Sequence, residues 1–207
     1  GLAGPWAVLV ADDGSRDDST AFVRASFPEV RVVAWRDAVG FAAGNNRAIE
    51  AVGARYTLLL NNDTIARCDA LTAMVAEAEA GADVVGARLV SWDGRRLDFD
   101  GGGASFTGHG HPLGHGRAVP VGRAPARETL FASGAGTLVR TEAFRRLGGF
   151  EDAYFAYYED VDLGWRAWLA GDTVRHVPSA VVRHRGGGSA GLLGGEGYPG
   201  VTGLAAA

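Results

Sequence analysis

YTLLLNNDT, residues 56–64, is the stretch of this chain that decides its fold. The letters YTLLL are apolar enough to predict a strand buried on both faces, which is typical of a sheet covered by helices on either side. This strand runs directly into two amides and a carboxylate, Asn61, Asn62 and Asp63. A buried strand followed by a polar turn is the unit from which the rest of the chain is interpreted.

Strands and helices alternate on both sides of this unit. Strands are predicted at residues 6–11, 31–35 and 83–90, helices at 21–27, 47–52 and 71–78, and a Gly-punctuated loop, GFAAGNN, at 40–46. This alternation indicates an α/β fold with a mainly parallel sheet between helical layers.

The second half of the chain is less regular. Residues 91–128 are rich in Gly, His, Pro and Arg and predict a long loop or an irregular hairpin. Regular structure returns with a strand at 130–140, a short helix from residue 141 and a strand at 174–177. We expect a single domain over residues 1–207 that ends in a flexible tail at 191–207.

Composition excludes several classes of protein. A net charge of −4 gives no basic face, so nucleic acid is not an expected partner. All 20 basic residues are arginine, which rules out P-loop, Schiff-base and pyridoxal phosphate chemistry that depends on lysine. The single Cys68 excludes an internal disulfide, and no apolar run reaches about 18 residues, so a cytoplasmic location is the default expectation.

Polar residues follow two of the predicted strands at the point where each strand ends. Asp12 and Asp13 follow the first strand, and the Asn-Asn-Asp turn follows the strand at 56–60. Because ligands gather at the carboxyl ends of parallel strands, these turns are expected to converge on one crevice. Asp63 suits a hard divalent cation, with His184 as a second ligand. The alternatives are a simple strand-ending turn and an ordinary strand-end histidine.

The string FAYYEDVDLGWRAWLAG, residues 155–171, predicts an amphipathic helix with carboxylates in its first turn. Its apolar stripe is predicted from helical spacing as Val161, Trp165, Trp168 and Leu169. Asp160 then points away from that stripe. The helix dipole is expected to lower the pKa of this carboxylate, which suits a base. The alternative interpretation is that the carboxylates of the first turn only cap a surface helix.

Three histidines in HGHPLGH offer a different metal site: His109, His111 and His115. No Cys or carboxylate accompanies them at ligand spacing, and their Gly-rich flanks would not hold them rigid. The sequence therefore disfavours this site.

Five motifs carry a family resemblance: DDGSRDDS, GFAAGNN, LLLNNDT, SGAGTLVRTEAFRRLGGF and YYEDVDLGWR. In order and approximate spacing they resemble family 2 inverting glycosyltransferases, especially the rhamnosyltransferase-like branch, over about residues 7–189. The resemblance implies a GT-A fold with a nucleotide-donor half at 1–90 and an acceptor and catalytic half at 129–190. It also implies a divalent cation, Mg²⁺ or Mn²⁺, on the donor diphosphate.

The resemblance assigns roles residue by residue. Nucleotide contacts fall to Asp12, Asp13, Asn46 and Asn61. The metal ligands are Asp63 and His184, and Asn61 stands where the family's Asp-x-Asp element begins with an acid. The sugar or acceptor is placed against Gly134, Ala135, Gly136 and Glu159, and Asp160 matches the catalytic base.

The reaction implied is a single displacement from a nucleotide-diphospho-sugar, with rhamnose as the expected sugar. The acceptor is expected to be a glycan or a lipid-linked hydroxyl, which would allow peripheral contact with the inner face of a membrane. Family members normally begin with a further strand and helix before the segment that here starts at Trp6. In the family that further strand lies centrally in the sheet. Without it, we expect its two neighbouring strands to have unpaired backbone groups. The alternative functions are a non-catalytic, transferase-derived fragment and a sugar-nucleotide nucleotidyltransferase.

Overall fold

The computed structural model describes residues 5–186 and the backbone of residues 201–206. The strands are β1 (Ala7–Asp12), β2 (Arg31–Ala34), β3 (Tyr56–Asn61), β4 (Thr64–Ala66), β5 (Val84–Ser91), β6 (Leu97–Phe99), β7 (Gly102–Ala104), β8 (Gly110–Pro112), β9 (Arg127–Glu128), β10 (Gly136–Arg140), β11 (Val174–His184) and β12 (Val201–Ala206). The α-helices are α1 (Ser19–Ser26), α2 (Phe41–Glu50), α3 (Ala70–Glu79), α4 (Thr141–Arg146) and α5 (Glu159–Leu169).

The main sheet is mixed rather than mainly parallel. Its order is β2-β1-β12-β3-β10-β5-β11-β4, with β6 and β9 paired at its margins. β1, β2, β3, β5 and β11 share one direction, as predicted, but β10 runs antiparallel between β3 and β5. The expectation of a mainly parallel sheet is corrected because the second half of the chain inserts strands against the direction of the first.

β12 lies between β1 and β3 and is antiparallel to both. The prediction that two strands would have unpaired backbone groups is therefore wrong, because β12 hydrogen-bonds along both of them. Residues 201–206, expected within a flexible tail, instead form this strand. The physical reason is that two exposed strand edges are a ready template for a further strand. Residues 187–200 and 207 lie outside the described residues.

The core forms two clusters, one on each face of the sheet. Leu59 faces the cluster that contains Ile49 of α2, while its neighbour Leu58 faces the cluster that contains Met74 of α3. This confirms the prediction that the strand at 56–60 is buried on both faces. Among residues 5–186, no helix has the length and hydropathy needed to cross a membrane.

Helix α2 begins earlier than the sequence suggested. The stretch 40–46 was expected to be a loop, but Phe41 opens the helix and the residues that follow are buried within it. Small side chains explain the difference, because Ala42 and Ala43 allow this helix to lie close to the sheet. Gly40 precedes the helix with φ of 89°, and its N–H is held by Asp13.

The segment at 91–128 carries short strands rather than being a structureless loop. β6 pairs with β5 and buries Leu97 and Phe99, while β7 and β8 form a separate hairpin. This hairpin confirms one of the two forms expected for the segment.

Helix α5 buries a different face from the one predicted. Trp165 and Leu169 are 50% and 78% exposed, whereas Leu163, Gly164 and Ala167 are buried. A Cβ on Gly164 would lie 2.5 Å from the carbonyl oxygen of Leu130. The absence of a side chain at this position therefore lets the helix approach the preceding loop, which a count of large apolar residues does not reveal.

Candidate active site

The loop before β10, which contains Gly134 and Ala135, makes hydrogen bonds both to the carboxyl end of β3 and to the start of α5. The N–H of Asn61 donates to the carbonyl of Ala135 at 3.5 Å, and the N–H of Gly134 donates to Oδ2 of Asp160 at 3.1 Å. A Cβ on Gly134 would lie 2.9 Å from Phe41, so a larger residue would displace this loop. Two predicted regions, the Asn-Asn-Asp turn and the acidic start of α5, are thus brought together.

His184 lies between two carboxylates. It ends β11 opposite Thr64 of β4, beside the turn that follows β3. Its Nδ1 is 2.6 Å from Oδ2 of Asp98, and its Nε2 is 3.3 Å from Oδ1 of Asp63. Burial opposes a charge on this ring, but the hydrogen bond to Asp98 and the charge of Asp63 outweigh it and raise the pKa of His184.

Two buried oxygens at this point lack a hydrogen-bond donor among the described residues: Oδ1 of Asn61 and Oδ1 of Asp63. Buried acceptors are normally paired, so this orphaned pair suits a cation. Neighbouring ligands of an octahedral ion with bonds of about 2.1 Å lie about 3 Å apart. The 3.3 Å between Asp63 Oδ1 and His184 Nε2 is close to that spacing.

These donors fit a hard divalent cation, because carboxylate and amide oxygens with one imidazole suit such ions. Within residues 5–186, no group of three or more His, Cys, Asp or Glu side chains is placed to hold a metal. A cation here would therefore need further oxygens, such as those of a phosphate.

Two adjacent carboxyl groups begin α5 and differ in their partners. The oxygens of Asp160 accept the N–H groups of Gly134 and Val161. Oε2 of Glu159 is buried and, within the described part of the chain, accepts no hydrogen bond. Glu159 is therefore the better site for the proton of the pair, and Asp160 for the negative charge.

Burial raises the pKa of both groups. It raises the pKa of Asp160 against the opposing effect of the Gly134 and Val161 N–H groups. Burial, and then the charge of Asp160, raises the pKa of Glu159 to about 8. The expectation that the helix dipole would lower the pKa of Asp160 is wrong, because desolvation of the carboxylate is the larger effect.

A cavity of about 300 Å³ opens beside Asp160. Its floor is apolar, and its polar lining includes Asp98, which also holds His184. The lining residues are Leu89, Asp98, Phe99, Gly110, His111, Pro112, Phe131, Ser133, Tyr157, Tyr158, Asp160 and Val161. Asp160 therefore faces the same space as the carboxylate that positions the Asp63–His184 pair.

The backbone before α5 is strained. Phe155, Tyr157 and Tyr158 have φ of 57°, 71° and 69°, a region that costs non-glycine residues roughly 1–3 kcal/mol each. Such strain persists only where surrounding contacts impose it. Here the carbonyl of Phe155 accepts the N–H of Ala42, and a Cβ on Gly40 would lie 2.5 Å from the Phe155 ring.

Asp12 and Asp13 have different surroundings at the end of β1, although both are buried. The carboxylate of Asp13 accepts the N–H groups of Val39 and Gly40 at 2.7 and 2.9 Å. Asp12 accepts a longer bond, 3.3 Å, from the N–H of Ser15. Asp13 therefore shapes the loop before α2, and Asp12 has more free capacity for a ligand.

Asn46 connects the two halves of the molecule. Its amide donates to the carbonyl of Phe150 and to Oδ1 of Asp152, and its Oδ1 accepts the N–H of Phe150. These contacts hold the segment before α5 against α2. The amide therefore has a structural task, and its predicted contact with a nucleotide stays a prediction.

The three histidines of HGHPLGH have different neighbours. Nδ1 of His109 contacts Thr107, and Nδ1 of His115 contacts the carbonyl of Asp98 at 3.0 Å. His111 lines the cavity instead.

Four residues that line the cavity were not predicted from the sequence to do so: Asp98, His111, Tyr157 and Tyr158. A signal existed for Asp98, because Leu97 and Phe99 alternate with Asp98 and Asp100 in the pattern of a half-buried strand. The two tyrosines directly precede Glu159 and Asp160 in the sequence, but residue type alone does not predict their positive φ.

Comparisons with known proteins identify the family and the fold. The model of the family described as "Glycosyl transferase family 2" matches residues 3–148. The N-acetylglucosaminyl-diphospho-decaprenol L-rhamnosyltransferase of Mycobacterium tuberculosis is 29% identical over 209 residues, covering 87% of this chain and 66% of that protein. The chain thus spans just under two thirds of that relative.

Two solved structures show the same fold. GalNAc-T7 with UDP, GalNAc and Mn²⁺ has a TM-score of 0.65 at 11% identity, over 82% of this chain and 35% of that chain. The mannosyltransferase PcManGT from Pyrobaculum calidifontis, in complex with GDP-Man and Mn²⁺, has a TM-score of 0.61 at 16% identity, over 86% and 47%. The α/β fold is that of GT-A glycosyltransferases, as the resemblance implied.

Proposed function

Because this chain belongs to glycosyl transferase family 2, we propose that it transfers a sugar from a nucleotide-diphosphate donor to an acceptor hydroxyl, with Asp160 as general base. The single observation that carries this proposal is the position of Asp160. Its carboxylate lines a cavity and is joined through Gly134 and Ala135 to the turn that contains Asp63.

In the proposed reaction the acceptor oxygen attacks the anomeric carbon as its proton passes to Asp160. The bond from that carbon to the diphosphate oxygen breaks, the diphosphate leaves with the electron pair, and the configuration inverts. The raised pKa of Asp160 makes it a stronger base, while the N–H groups of Gly134 and Val161 keep its oxygens oriented. Positioned general bases typically contribute about 10²- to 10⁴-fold.

Glu159 supports Asp160 by holding a proton. A second buried negative charge beside Asp160 would be costly, and Glu159 has an oxygen without a donor among the described residues. With Glu159 neutral, the site holds one carboxylate that can accept the acceptor's proton.

Asp63 and His184 are the proposed ligands of a divalent cation, with Oδ1 of Asn61 beside them. Such an ion, when bound, neutralises charge that develops on the leaving diphosphate. Asp98 would accept Nδ1–H of His184 and so direct the Nε2 lone pair towards the ion.

The nucleotide is proposed to bind along the carboxyl ends of β1 and β3. Asp12 and Asn61 end these strands on either side of β12, so they lie roughly 10 Å apart. Asp12 is the proposed contact for the base or ribose. Asp13 and Asn46 support that pocket by holding the loop before α2 and the segment before α5.

Rhamnose is the proposed donor sugar, and a lipid-linked glycan the proposed acceptor, because the mycobacterial relative's name states both. The structural neighbours were solved with UDP and with GDP-Man, which supports a nucleotide donor of the same general class.

A thermal-shift series tests the proposal. A true nucleotide ligand at about 100 times its Kd should raise Tm by about 5 to 10 °C. We expect this shift for one of dTDP, UDP or GDP, and only with Mn²⁺. Asp63→Asn should remove the Mn²⁺-dependent part, and Asp93→Asn, an exposed carboxylate, is the matched control.

Two outcomes would contradict the proposal. A chain that responds to none of the diphosphates, with Mn²⁺ present, is not a donor-binding transferase. A larger response to nucleoside triphosphates than to diphosphates would favour a nucleotidyltransferase. Release of dTDP from dTDP-rhamnose, followed by chromatography, then tests the donor sugar.

A further inference from the structure

Two aromatic side chains stand at the cavity beside Asp160. Tyr157 and Tyr158 both line it, yet they are 52% and 46% exposed. Two neighbouring, half-exposed aromatic rings at a cavity form a patch of the kind that marks a ligand-binding site. Neither residue takes part in the reaction steps described above.

The backbone that carries these rings is fixed rather than loose. Both tyrosines have left-handed φ, which residues with a side chain rarely adopt. The segment is anchored upstream by Asn46 on Phe150 and downstream by the first turn of α5. Strain of this kind concentrates at ligand-binding sites, where surrounding contacts hold a side chain in place.

The β7–β8 hairpin also lines the cavity, and it lies directly on α5. A Cβ on Gly110 would be 2.6 Å from the side chain of Val161, so the two elements are in close contact. His111 and Pro112 of this hairpin face the cavity, and Phe99 and Phe131 form part of its floor.

The cavity is built mainly from the middle of the chain and the start of α5. All of its lining residues fall between Leu89 and Val161. The proposed nucleotide and cation residues Asp12 and Asp63 lie at the ends of β1 and β3. Neither of them lines the cavity, but Asp98 of its lining contacts His184, so the space beside Asp160 adjoins the proposed cation site.

We propose that Tyr157 and Tyr158 form a stacking wall for the acceptor, so that this cavity holds one hexopyranose ring of a carbohydrate acceptor. The inference rests on the proposed function. A pyranose presents an apolar face of C–H groups and a rim of hydroxyls, which matches tyrosine rings, an apolar floor and a polar rim made by Ser133, His111 and Asp160. The cavity volume of about 300 Å³ is at the lower end of small-ligand sites.

Saturation-transfer NMR with methyl β-glucopyranoside and methyl N-acetyl-β-glucosaminide tests this directly. We expect at least one of these two glycosides to bind and to receive saturation chiefly on the protons of its apolar face. Tyr157→Ala combined with Tyr158→Ala should weaken binding about 10-fold or more, while the Tyr→Phe pair retains it. Tyr154→Ala is the matched control, since Tyr154 is an exposed tyrosine that does not line this cavity.

The readouts separate the inference from the function on which it rests. Loss of sugar binding with unchanged Mn²⁺-dependent nucleotide binding supports the stacking wall. If neither glycoside binds the unaltered chain, or if both bind the double alanine variant equally well, the wall is wrong even though the nucleotide response persists. If nucleotide binding itself is absent, the proposed function fails. The Phe pair, with Tm measured alongside, identifies losses due to misfolding.

Discussion

Oδ2 of Asp98 accepts Nδ1–H of His184 at 2.6 Å, and the opposite nitrogen of the same ring lies 3.3 Å from Asp63. One imidazole therefore connects a carboxylate of the cavity with a carboxylate of the proposed cation site. A carboxylate that holds one ring nitrogen fixes the tautomer and aims the other nitrogen. Asp98 is a positioning residue in this arrangement rather than a ligand.

Asp98→Ala should weaken Mn²⁺ binding about 10- to 100-fold, because the His184 ring loses the partner that orients it. Asp98→Asn keeps an oxygen that can accept Nδ1–H, so it should lose less. Mn²⁺ binding is measured by electron paramagnetic resonance of the free ion. The control is Asp93→Asn, and equal affinity of Asp98→Ala and the unaltered chain would show that Asp98 does not position the ring.

Asp160→Asn should lower the rate of transfer about 10²- to 10⁴-fold, because an amide cannot take the acceptor's proton. Nucleotide and Mn²⁺ affinity should change little, since the amide oxygen still accepts the N–H of Gly134 or Val161. The turnover rate and the nucleotide Kd are measured on the same preparation. Asp18→Asn, at the exposed N-terminus of α1, is the control, and near-normal turnover by Asp160→Asn would reject the base assignment.

Glu159→Gln should flatten the pH dependence of stability. The pKa of Glu159 is raised from 4.5 to about 8, so between these values the folded state keeps a proton that the unfolded state releases. The free energy of unfolding therefore falls as pH rises through this window, by on the order of a few kcal/mol. Glutamine does not titrate and removes that fall.

Urea unfolding between about pH 5 and pH 8 measures this effect. Glu142→Gln is the matched control, because Glu142 is an exposed glutamate in the first turn of α4. If Glu159→Gln and the unaltered chain lose stability in parallel as pH rises, Glu159 is not the protonated member of the pair.

Sequence patterns predicted the strands of the first half well because several of them are short, continuously apolar runs that end in polar turns. Leu58 and Leu59 face opposite clusters, as a buried strand requires. The start of α2 was missed because Gly and Asn within GFAAGNN are typical of loops, whereas in the structure Asn45 satisfies its own amide on the carbonyl of Phe41. Local propensity was overridden by tertiary packing.

Proximity of predicted site residues could be read from the sequence where it follows from strand ends, but not where it depends on long-range contacts, and the roles of these residues stay predictions. The sequence predicted that Asp63 and His184 lie close enough to share a cation, and in the structure the two side chains are in contact. It could not show that Asp98 contacts His184 across 86 residues, or that burial would raise the pKa of Asp160. Both depend on which surfaces meet after folding.

Gly164→Ala should destabilise the protein, although alanine is the better helix former by about 1 kcal/mol. The new Cβ would lie 2.5 Å from the carbonyl oxygen of Leu130 and 2.6 Å from Cβ of Phe131. Backbone cannot yield as a flexible side chain does, so α5 must move away from the loop, at a cost of about 1–3 kcal/mol. Since Phe131 lines the cavity beside Asp160, turnover should fall as well.

Gly53→Ala is the control, because its Cβ meets nothing within 4 Å. Urea unfolding compares the two variants, and equal midpoints would show that the close approach of α5 does not limit stability.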